Sequence, residues 1–465
     1  MKTFQSTVKF DSNLLQKYDY QVPRYTSYPT ATELRKNFGD LDYKAGIAIG
    51  NYKQTPISLY CHIPFCQTGC YFCGCNTIIT QSKNAVENYL NHLEKEIKQV
   101  ATLIDSRREV NQLHLGGGTP NYLSLHQISW LQDILNKQFP ISSDAEISLE
   151  INPRYVDKNY IFQLRNLGFN RISFGVQDFN PKVQDAINRI QPESSLFTVM
   201  DWIREAGFES VNVDLIYGLP FQTLQTFQDT IQKTIMLNPD RIAVFNFAYV
   251  PWIKPIQKKI PSQHLPQPLE KLDIFQMTIE ELTSNGYVFI GMDHFSKPDD
   301  ELAIAQRQGK LHRNFQGYTT KPESDLFAFG ITSISMLHDV YTQNYKFLKE
   351  YYKAIDSEVL PIEKGISLNR DDVLRRAIIM DLMCQFKLSI SDLEDKYHIA
   401  FDTDFEEYFS SELLALKPLV ADGLIKRFSN GIEVTSTGRL LVRNIASVFD
   451  AYSQKKCVKT FSRAV

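Results

Sequence analysis

The stretch Cys61-His-Ile-Pro-Phe-Cys66-Gln-Thr-Gly-Cys70-Tyr-Phe-Cys73-Gly-Cys75-Asn76 holds five of the seven cysteines in a chain of 465 residues. Cys66, Cys70 and Cys73 stand in a Cys-x3-Cys-x2-Cys spacing that places three thiolates on one short loop. Thiolates are soft ligands that hold iron–sulfur clusters, and a four-iron cube normally takes four of them. Three in register with no evident fourth leave one iron open to an outside ligand, which suits chemistry more than simple electron transfer. A structural zinc ion is the rival reading. It needs four ligands, and Cys384 and Cys457 stand alone and far away, so Cys61, His62 or Cys75 would have to complete it. An odd cysteine count with one dense cluster in a long chain argues against a disulfide framework.

The loop follows an apolar run at 57–60, and further short apolar runs lie at 112–115, 147–151, 172–176, 211–216 and 242–247. These read as buried parallel strands. Helical segments separate them at 86–103, 125–138, 158–168, 195–207 and 224–237, with Asn170 following one and Gly207 ending another as a C-cap. Strand and helix alternating at this spacing build right-handed βαβ units. The prediction is an α/β protein with a partial, open (β/α)6 barrel; an open doubly wound sheet is the alternative.

In such barrels the carboxyl ends of the strands build the site. The cysteine loop follows the first strand and Gly116-Gly117-Gly118-Thr119-Pro120 the second. Glu150 closes the third and Gln177 the fourth, Asp214 lies in the fifth, and Asn246 to Ala248 end the sixth. The triple glycine lacks dinucleotide-fingerprint spacing and has no P-loop lysine. It is either a tight turn or a close backbone approach to a ligand. Glu150 and Asp214 are either buried-edge carboxylates with satisfied partners or acceptors for hydroxyl and ammonium groups. Arg189 is either a solvated helix residue or a bidentate partner for a carboxylate.

Composition bounds the remaining choices. Apolar residues make up 43% and charged residues 22%, with a net charge of −3, enough apolar content for a large core plus a smaller domain. That charge argues against a surface that coats nucleic acid. No apolar run reaches the roughly 18 residues of a membrane span, and the first twenty residues lack a signal-peptide block. The expectation is a soluble cytoplasmic protein, by default a monomer. Residues 1–45 form an extended arm centred on Val22-Pro23-Arg24-Tyr25-Thr26-Ser27-Tyr28-Pro29-Thr30. It is either surface packing or a lid in which Arg24 faces an anionic substrate. A catalytic domain is expected over 46–365, with loops and a short apolar segment after Phe295. A mainly helical, winged-helix-like domain is expected over 366–465: helices at 371–386, 389–396 and 401–421, a hairpin at 424–435 and a final helix. It has no basic stripe, so a cap over the barrel is the default.

The cysteine loop, with Phe72 before its last cysteine, resembles the signature of the radical S-adenosylmethionine (SAM) superfamily. The likeness then extends along the chain through Pro23 to Ala31, Tyr60 to Cys66, Cys73-Gly-Cys75-Asn76, Val176 to Phe179, Asp214-Leu-Ile-Tyr-Gly-Leu-Pro220, Gly291 to Phe295 and Asn314 to Thr320. As an ordered set these motifs resemble the family of oxygen-independent coproporphyrinogen III oxidases. The resemblance implies a [4Fe-4S] cluster on Cys66, Cys70 and Cys73, with Cys75 near the site but not on iron. It implies one SAM at Tyr60, Gly117, Glu150 and Ile334, beside Phe72, and a second at Gly118, Thr119, Gln177, Arg189, Asp214 and Ala248. Phe315 and Gln316 border these sites, and Cys75, Glu150, Phe315 and Gln316 are the implied catalytic set. The implied reaction is oxidative decarboxylation of two propionates of coproporphyrinogen III to vinyl groups, with flavodoxin or ferredoxin as the kind of electron donor. Rival readings are a related haem chaperone, a radical SAM enzyme on another substrate such as a nucleic acid, and a non-enzymatic metal scaffold. Relatives of the chaperone kind lack Cys75 and the Pro-Arg-Tyr arm, and both are present here.

Overall fold

The computed structural model describes residues 8–397 and 405–453. Cys457 and positions 401–404 of the helix expected over 401–421 lie outside the described residues. The chain forms two compact units. A barrel unit takes 34–271 and 323–367; a second unit takes the described residues of 1–33, 272–322 and 368–465. This grouping cuts across a linear partition at 45 and 365. Residues 34–45 go with the barrel because helix α1 (Asp40–Lys53) buries Tyr43 and Ile47, and its Gly46 leaves only 3.2 Å for a Cβ before Val340.

The barrel unit is built on six parallel strands adjacent in chain order: β1 (Ile57–Ile63), β2 (Val110–Gly117), β3 (Ile141–Ile151), β4 (Arg171–Gln177), β5 (Ser210–Tyr217) and β6 (Arg241–Asn246). Helices α2 (Lys83–Ala101), α3 (Leu125–Gln138), α4 (Lys158–Asn166), α5 (Glu193–Glu205) and α6 (Leu224–Leu237) make the crossovers. Four of these helices start at side-chain caps: Ser82, Ser124, Asp157 and Thr223 each accept a hydrogen bond from the first turn. Gly168 and Gly207 turn the chain out of α4 and α5 at φ 96° and 80°, where a Cβ would be strained. Six parallel strands in sequence order, joined by five helical crossovers, make the partial (β/α)6 barrel, and the doubly wound alternative falls because no strand order reverses among them.

The sheet does not stop at six strands. β7 (Asp325–Phe329) adds parallel to the free side of β1, and β8 (Ile334–Leu337), β9 (Val340–Asn344) and β10 (Ile362–Ser367) continue antiparallel. The short apolar segment expected after Phe295 is therefore a central strand. All five of its residues are buried, and Asp325 at its start is neutralised by Arg108, 2.6 Å away at the start of β2.

Among its described residues the second unit contains the arm, three hairpins (one of them Val288–Gly291 against His294–Ser296) and the C-terminal helices. Val22 to Thr30 is free of helix, with short helical turns at Ser12–Lys17 and Ala31–Glu33 on either side. Residues 312–320, expected as a loop, form a two-stranded hairpin, His312–Asn314 against Gly317–Thr319. Helix Arg370–Gln385 leads to a small sheet of Lys387–Ser389, Gly431–Val434 and Ile425–Phe428, the winged-helix-like hairpin. In place of one helix over 401–421, the described part breaks into Phe405–Tyr408, Ser410–Ala415 and Lys417–Ala421, the last restarted with Pro418 in its first turn. Among the described residues no helix is long and apolar enough to cross a membrane.

Candidate active site at the strand ends

The cysteine loop leaves the end of β1 and is tied to the rim from several sides. Gly118 N donates to Ile63 O at 2.8 Å and Ile78 N to Pro64 O at 2.7 Å. Tyr71 N donates to Ile187 O, and Asn188 Nδ2 donates to Gly69 O at 2.9 Å. Gln257, buried, donates from Nε2 to both Phe72 O and Ala248 O, joining the loop to the chain just past β6. Lys254 Nζ donates to Cys75 O at 3.0 Å. Tyr71 and the half-buried Phe72 pack against an apolar cluster of Val183, Ile187, Ile216, Leu219, Phe247 and Ile260.

Each of the three thiols in register has its own polar neighbour. Cys66 Sγ lies 3.3 Å from Thr119 Oγ1, Cys70 Sγ accepts from Arg189 Nη1 at 3.5 Å and Arg154 Nη2 at 3.8 Å, and Cys73 Sγ accepts from Cys75 N at 3.4 Å. Burial pushes the Cys66 thiol up to about 11, whereas the contact with Cys75 draws Cys73 down to about 6 and raises Cys75 in return. No three His, Cys, Asp or Glu side chains among the described residues converge to share a single metal ion. The thiols are thus spread around the loop, and a multi-iron cube takes each thiolate at a different corner.

The triple glycine is a close backbone approach. Gly117 has φ 122°, and a Cβ there would lie 2.8 Å from the His62 ring; one at Gly118 would lie 2.6 Å from Pro64 O. Glu150 Oε2 accepts from Gly117 N at 3.2 Å, and its Oε1 lies 3.5 Å from His114 Nε2. Tyr60 stacks on His114, and its hydroxyl meets His62 Nδ1 at 3.0 Å. His62 Nε2 sits 3.2 Å from Asn76 O, which can only accept, so Nε2 carries the proton and Nδ1 accepts from Tyr60. Burial lowers the His62 pKa and keeps the ring neutral. Asp214 accepts from Asn212 Nδ2 at 2.8 Å.

Buried polar atoms without partners gather at the ends of β4 and β6. Gln177 Oε1, Arg189 Nε, Gln191 Oε1 and Asn246 Oδ1 are shut from solvent and make no hydrogen bond. Gln177 also holds φ 67°, a strained conformation for a side chain of its size. Orphaned buried atoms of this kind mark a ligand site. The barrel unit therefore brings together Tyr60, Cys66, Cys70, Cys73, Cys75, Gly117, Gly118, Thr119 and Glu150 around the cysteine loop. Gln177, Arg189 and Ala248 stand at or beyond the ends of β4 and β6, Asp214 lies within β5, and Ile334 opens β8. Phe315 and Gln316 belong to the second unit, on the turn of its 312–319 hairpin. Arg154, Lys254 and Gln257 escaped the sequence reading. Arg154 had a signal, standing four residues after Glu150 at a strand end; Gln257 had none.

Comparison with known proteins agrees with this geometry. A profile of the Radical SAM superfamily matches residues 60–234, and one described as the HemN C-terminal domain matches 368–441. An oxygen-independent coproporphyrinogen III oxidase from Synechocystis is 64% identical over 100% of both chains, and one from Escherichia coli is 49% identical over 98% of this chain and 99% of its own. The chain belongs to the oxygen-independent coproporphyrinogen III oxidase family. A solved structure described as "Coproporphyrinogen III oxidase (HemN) from Escherichia coli is a Radical SAM enzyme" superposes with a TM-score of 0.91, at 48% identity over 96% of this chain and 100% of that one. Membership of the superfamily implies a [4Fe-4S] cluster and SAM, and the residues present fit both. The three thiols are separate soft donors, and the rim offers acceptor oxygens at Gln177 and Asn246, a carboxylate at Glu150 and an open guanidinium nitrogen at Arg189.

Proposed function

We propose that this chain is an oxygen-independent coproporphyrinogen III oxidase, which oxidatively decarboxylates two propionates of coproporphyrinogen III to vinyl groups and yields protoporphyrinogen IX. The observation that carries the reading is the thiol loop at the end of β1, with a polar neighbour to each sulfur, in a chain 64% identical over its whole length to a protein of that name. Cys66, Cys70 and Cys73 would hold the cluster and leave one iron open. One SAM would lie against Tyr60, Gly117, Glu150 and Ile334, beside Phe72, and a second against Gly118, Thr119, Gln177, Arg189, Asp214 and Ala248. Cys75, Glu150, Phe315 and Gln316 are the proposed catalytic set. When bound, the cluster and SAM would supply a 5′-deoxyadenosyl radical able to take a hydrogen atom from an unactivated propionate β-carbon, with loss of one electron and carbon dioxide.

The chain's own residues orient and protect. The Glu150 carboxylate, already accepting from Gly117 N, has lone pairs left for an ammonium group. Gln177 Oε1 and Asn246 Oδ1 are acceptors awaiting hydroxyl or amino donors, and Arg189 Nε is a donor awaiting a carboxylate. The apolar cluster under Tyr71 and Phe72 keeps water from one flank of the loop. The proposal includes a cytoplasmic monomer that takes its electrons from a flavodoxin or ferredoxin and acts on neither nucleic acid nor membrane. Anaerobic incubation of reconstituted protein with SAM, a reductant and coproporphyrinogen III should give the divinyl product and 5′-deoxyadenosine on chromatography. Absence of both with the cluster intact would overturn the assignment.

A further inference from the structure

Two motifs singled out in the sequence, Pro23 to Ala31 and Gly291 to Phe295, contribute nothing to the strand-end site, and a third, Asn314 to Thr320, contributes only Phe315 and Gln316 to the proposed catalytic set. All three lie in the second unit, where they meet. Arg24 forms an ion pair with the buried Asp293. His294 Nδ1 sits 2.9 Å from Asp293 Oδ1, but off the line a hydrogen bond requires. Arg313, 2% exposed on the hairpin strand His312–Asn314, lays its guanidinium over the Tyr318 ring at 4.4 Å, and His294 meets the same ring edge-on at 5.2 Å. Arg443, also buried, donates to the carbonyls of Val22 and Pro23, which anchors the arm.

Arg24 pairs with Asp293, and burial holds His294 below its usual pKa and so neutral. Arg24 and Arg313 both act to lower the Arg443 pKa, which burial first pushes down, to about 9; the carboxylate acting on it is Asp293. Buried charges are ordinarily paired, and guanidiniums that lie near one another in a closed setting favour an anion beside them. The unpartnered atoms point the same way. Arg313 Nε and Nη1 are buried with no acceptor, and so is Gln316 Nε2 on the turn of the same hairpin. Every orphan on that hairpin is a donor, and the ligand they lack is an acceptor. Planar forked donors favour a carboxylate. Arg24, with 35% of its side chain exposed, is the member that solvent reaches and hence the point of entry.

We propose that Arg313, with Arg24 and Arg443 beside it, forms a carboxylate-binding site that holds a propionate of the tetrapyrrole substrate. The inference rests on the proposed coproporphyrinogen III oxidase activity and names residues for a substrate that carries four carboxylates. Arg313 is the central donor, Arg24 the outer one, and Arg443 a positioning residue that fixes the arm and adds charge.

The test uses the reconstituted holoenzyme under anaerobic conditions. Arg313→Gln should raise KM for coproporphyrinogen III at least tenfold with kcat within about threefold. Arg24→Gln should raise it by less, and Arg313→Lys should recover part of the loss. SAM cleavage to 5′-deoxyadenosine in the absence of substrate should stay at the wild-type rate in all three. In a separate equilibrium titration, wild-type protein should bind coproporphyrin III at least tenfold tighter than its uncharged tetraamide, and Arg313→Gln should bind the two alike. An unchanged KM in Arg313→Gln and Arg24→Gln, with normal iron content and circular dichroism, would overturn the site while leaving the activity standing. Equal binding of acid and amide by the wild type would overturn it too. A wild-type enzyme inert towards coproporphyrinogen III would overturn the activity, and the site with it.

Discussion

Arg154 shows how one side chain outside the cysteine motif bears on its chemistry. Its Nε is held by Asn152 Oδ1 at 3.1 Å and its Nη2 reaches Thr68 Oγ1 and Cys70 Sγ, so with Arg189 it puts two guanidiniums on one thiol. Donors to cluster sulfurs favour the reduced, more negative cube. Arg154→Gln should therefore shift the cluster midpoint to more negative potential, by up to about 59 mV, a tenfold change for one electron; an EPR-monitored redox titration reads it. Glu96 makes a second residue-scale case. It is fully enclosed under the Gly330 turn, accepting from Tyr351 Oη at 2.5 Å, Asn344 Nδ2 at 2.6 Å and Gly330 N at 2.8 Å. Burial raises its pKa from 4.5 to about 7 despite these donors. A carboxyl that binds its proton more tightly when folded favours the folded state less as pH rises from the unfolded value to the folded one. The stability of wild type relative to Glu96→Gln should thus be greatest near pH 4.5, fall by about 3 kcal/mol by pH 7 and change little beyond. Denaturant titrations across that range check the slope. Glu96 was not legible in the sequence, because its partners lie more than two hundred residues away, and Arg154 was marked only by its place after a strand end.

The paired ends of β1 and β2 are the element on which the site depends. Their backbones run so close that the glycines closing β2 and Gly118 just after it have no room for a side chain, and Gly117 also needs a positive φ. Gly117→Ala should cost about 1–3 kcal/mol and also lower the iron bound after reconstitution, since the clash falls on His62 beside the cysteine loop. Ser124→Ala removes the capping box that starts α3. It should cost about 1 kcal/mol and leave the iron content unchanged. Thermal melts with iron assays on both variants separate the two effects. Elements of this kind were the most legible: α3 and α6 have the bounds read from periodicity and caps, and all six parallel strands were foreseen, though the first five came out longer than their apolar cores and the sixth is shifted by one residue. The triple glycine stayed ambiguous in sequence because a tight turn and a close approach need the same residue, and only the position of His62 distinguishes them.

At the scale of the whole molecule, the barrel unit is assembled from two stretches of chain that the second unit interrupts. β7 joins β1 across more than two hundred residues, and the buried Arg108–Asp325 pair is its electrostatic tie. Asp325→Asn leaves Arg108 buried without its counter-charge and should cost about 3–5 kcal/mol. The double variant Arg108→Met with Asp325→Leu should recover most of that, as chemical denaturation will show. Cysteine spacing, apolar periodicity and turn residues were enough by themselves to determine the thiol loop and the run of βα repeats, and an ordered set of short motifs carried the resemblance to the family. These are local patterns, legible because hydrogen bonding and burial repeat at fixed intervals along the chain. The tertiary structure alone decided that 325–329 is a central strand, that Gln257 ties the loop to the rim, and that Arg24, Arg313 and Arg443 lie near one another. A contact between distant residues is selected by the packing of many elements at once, and no short window of sequence carries that constraint.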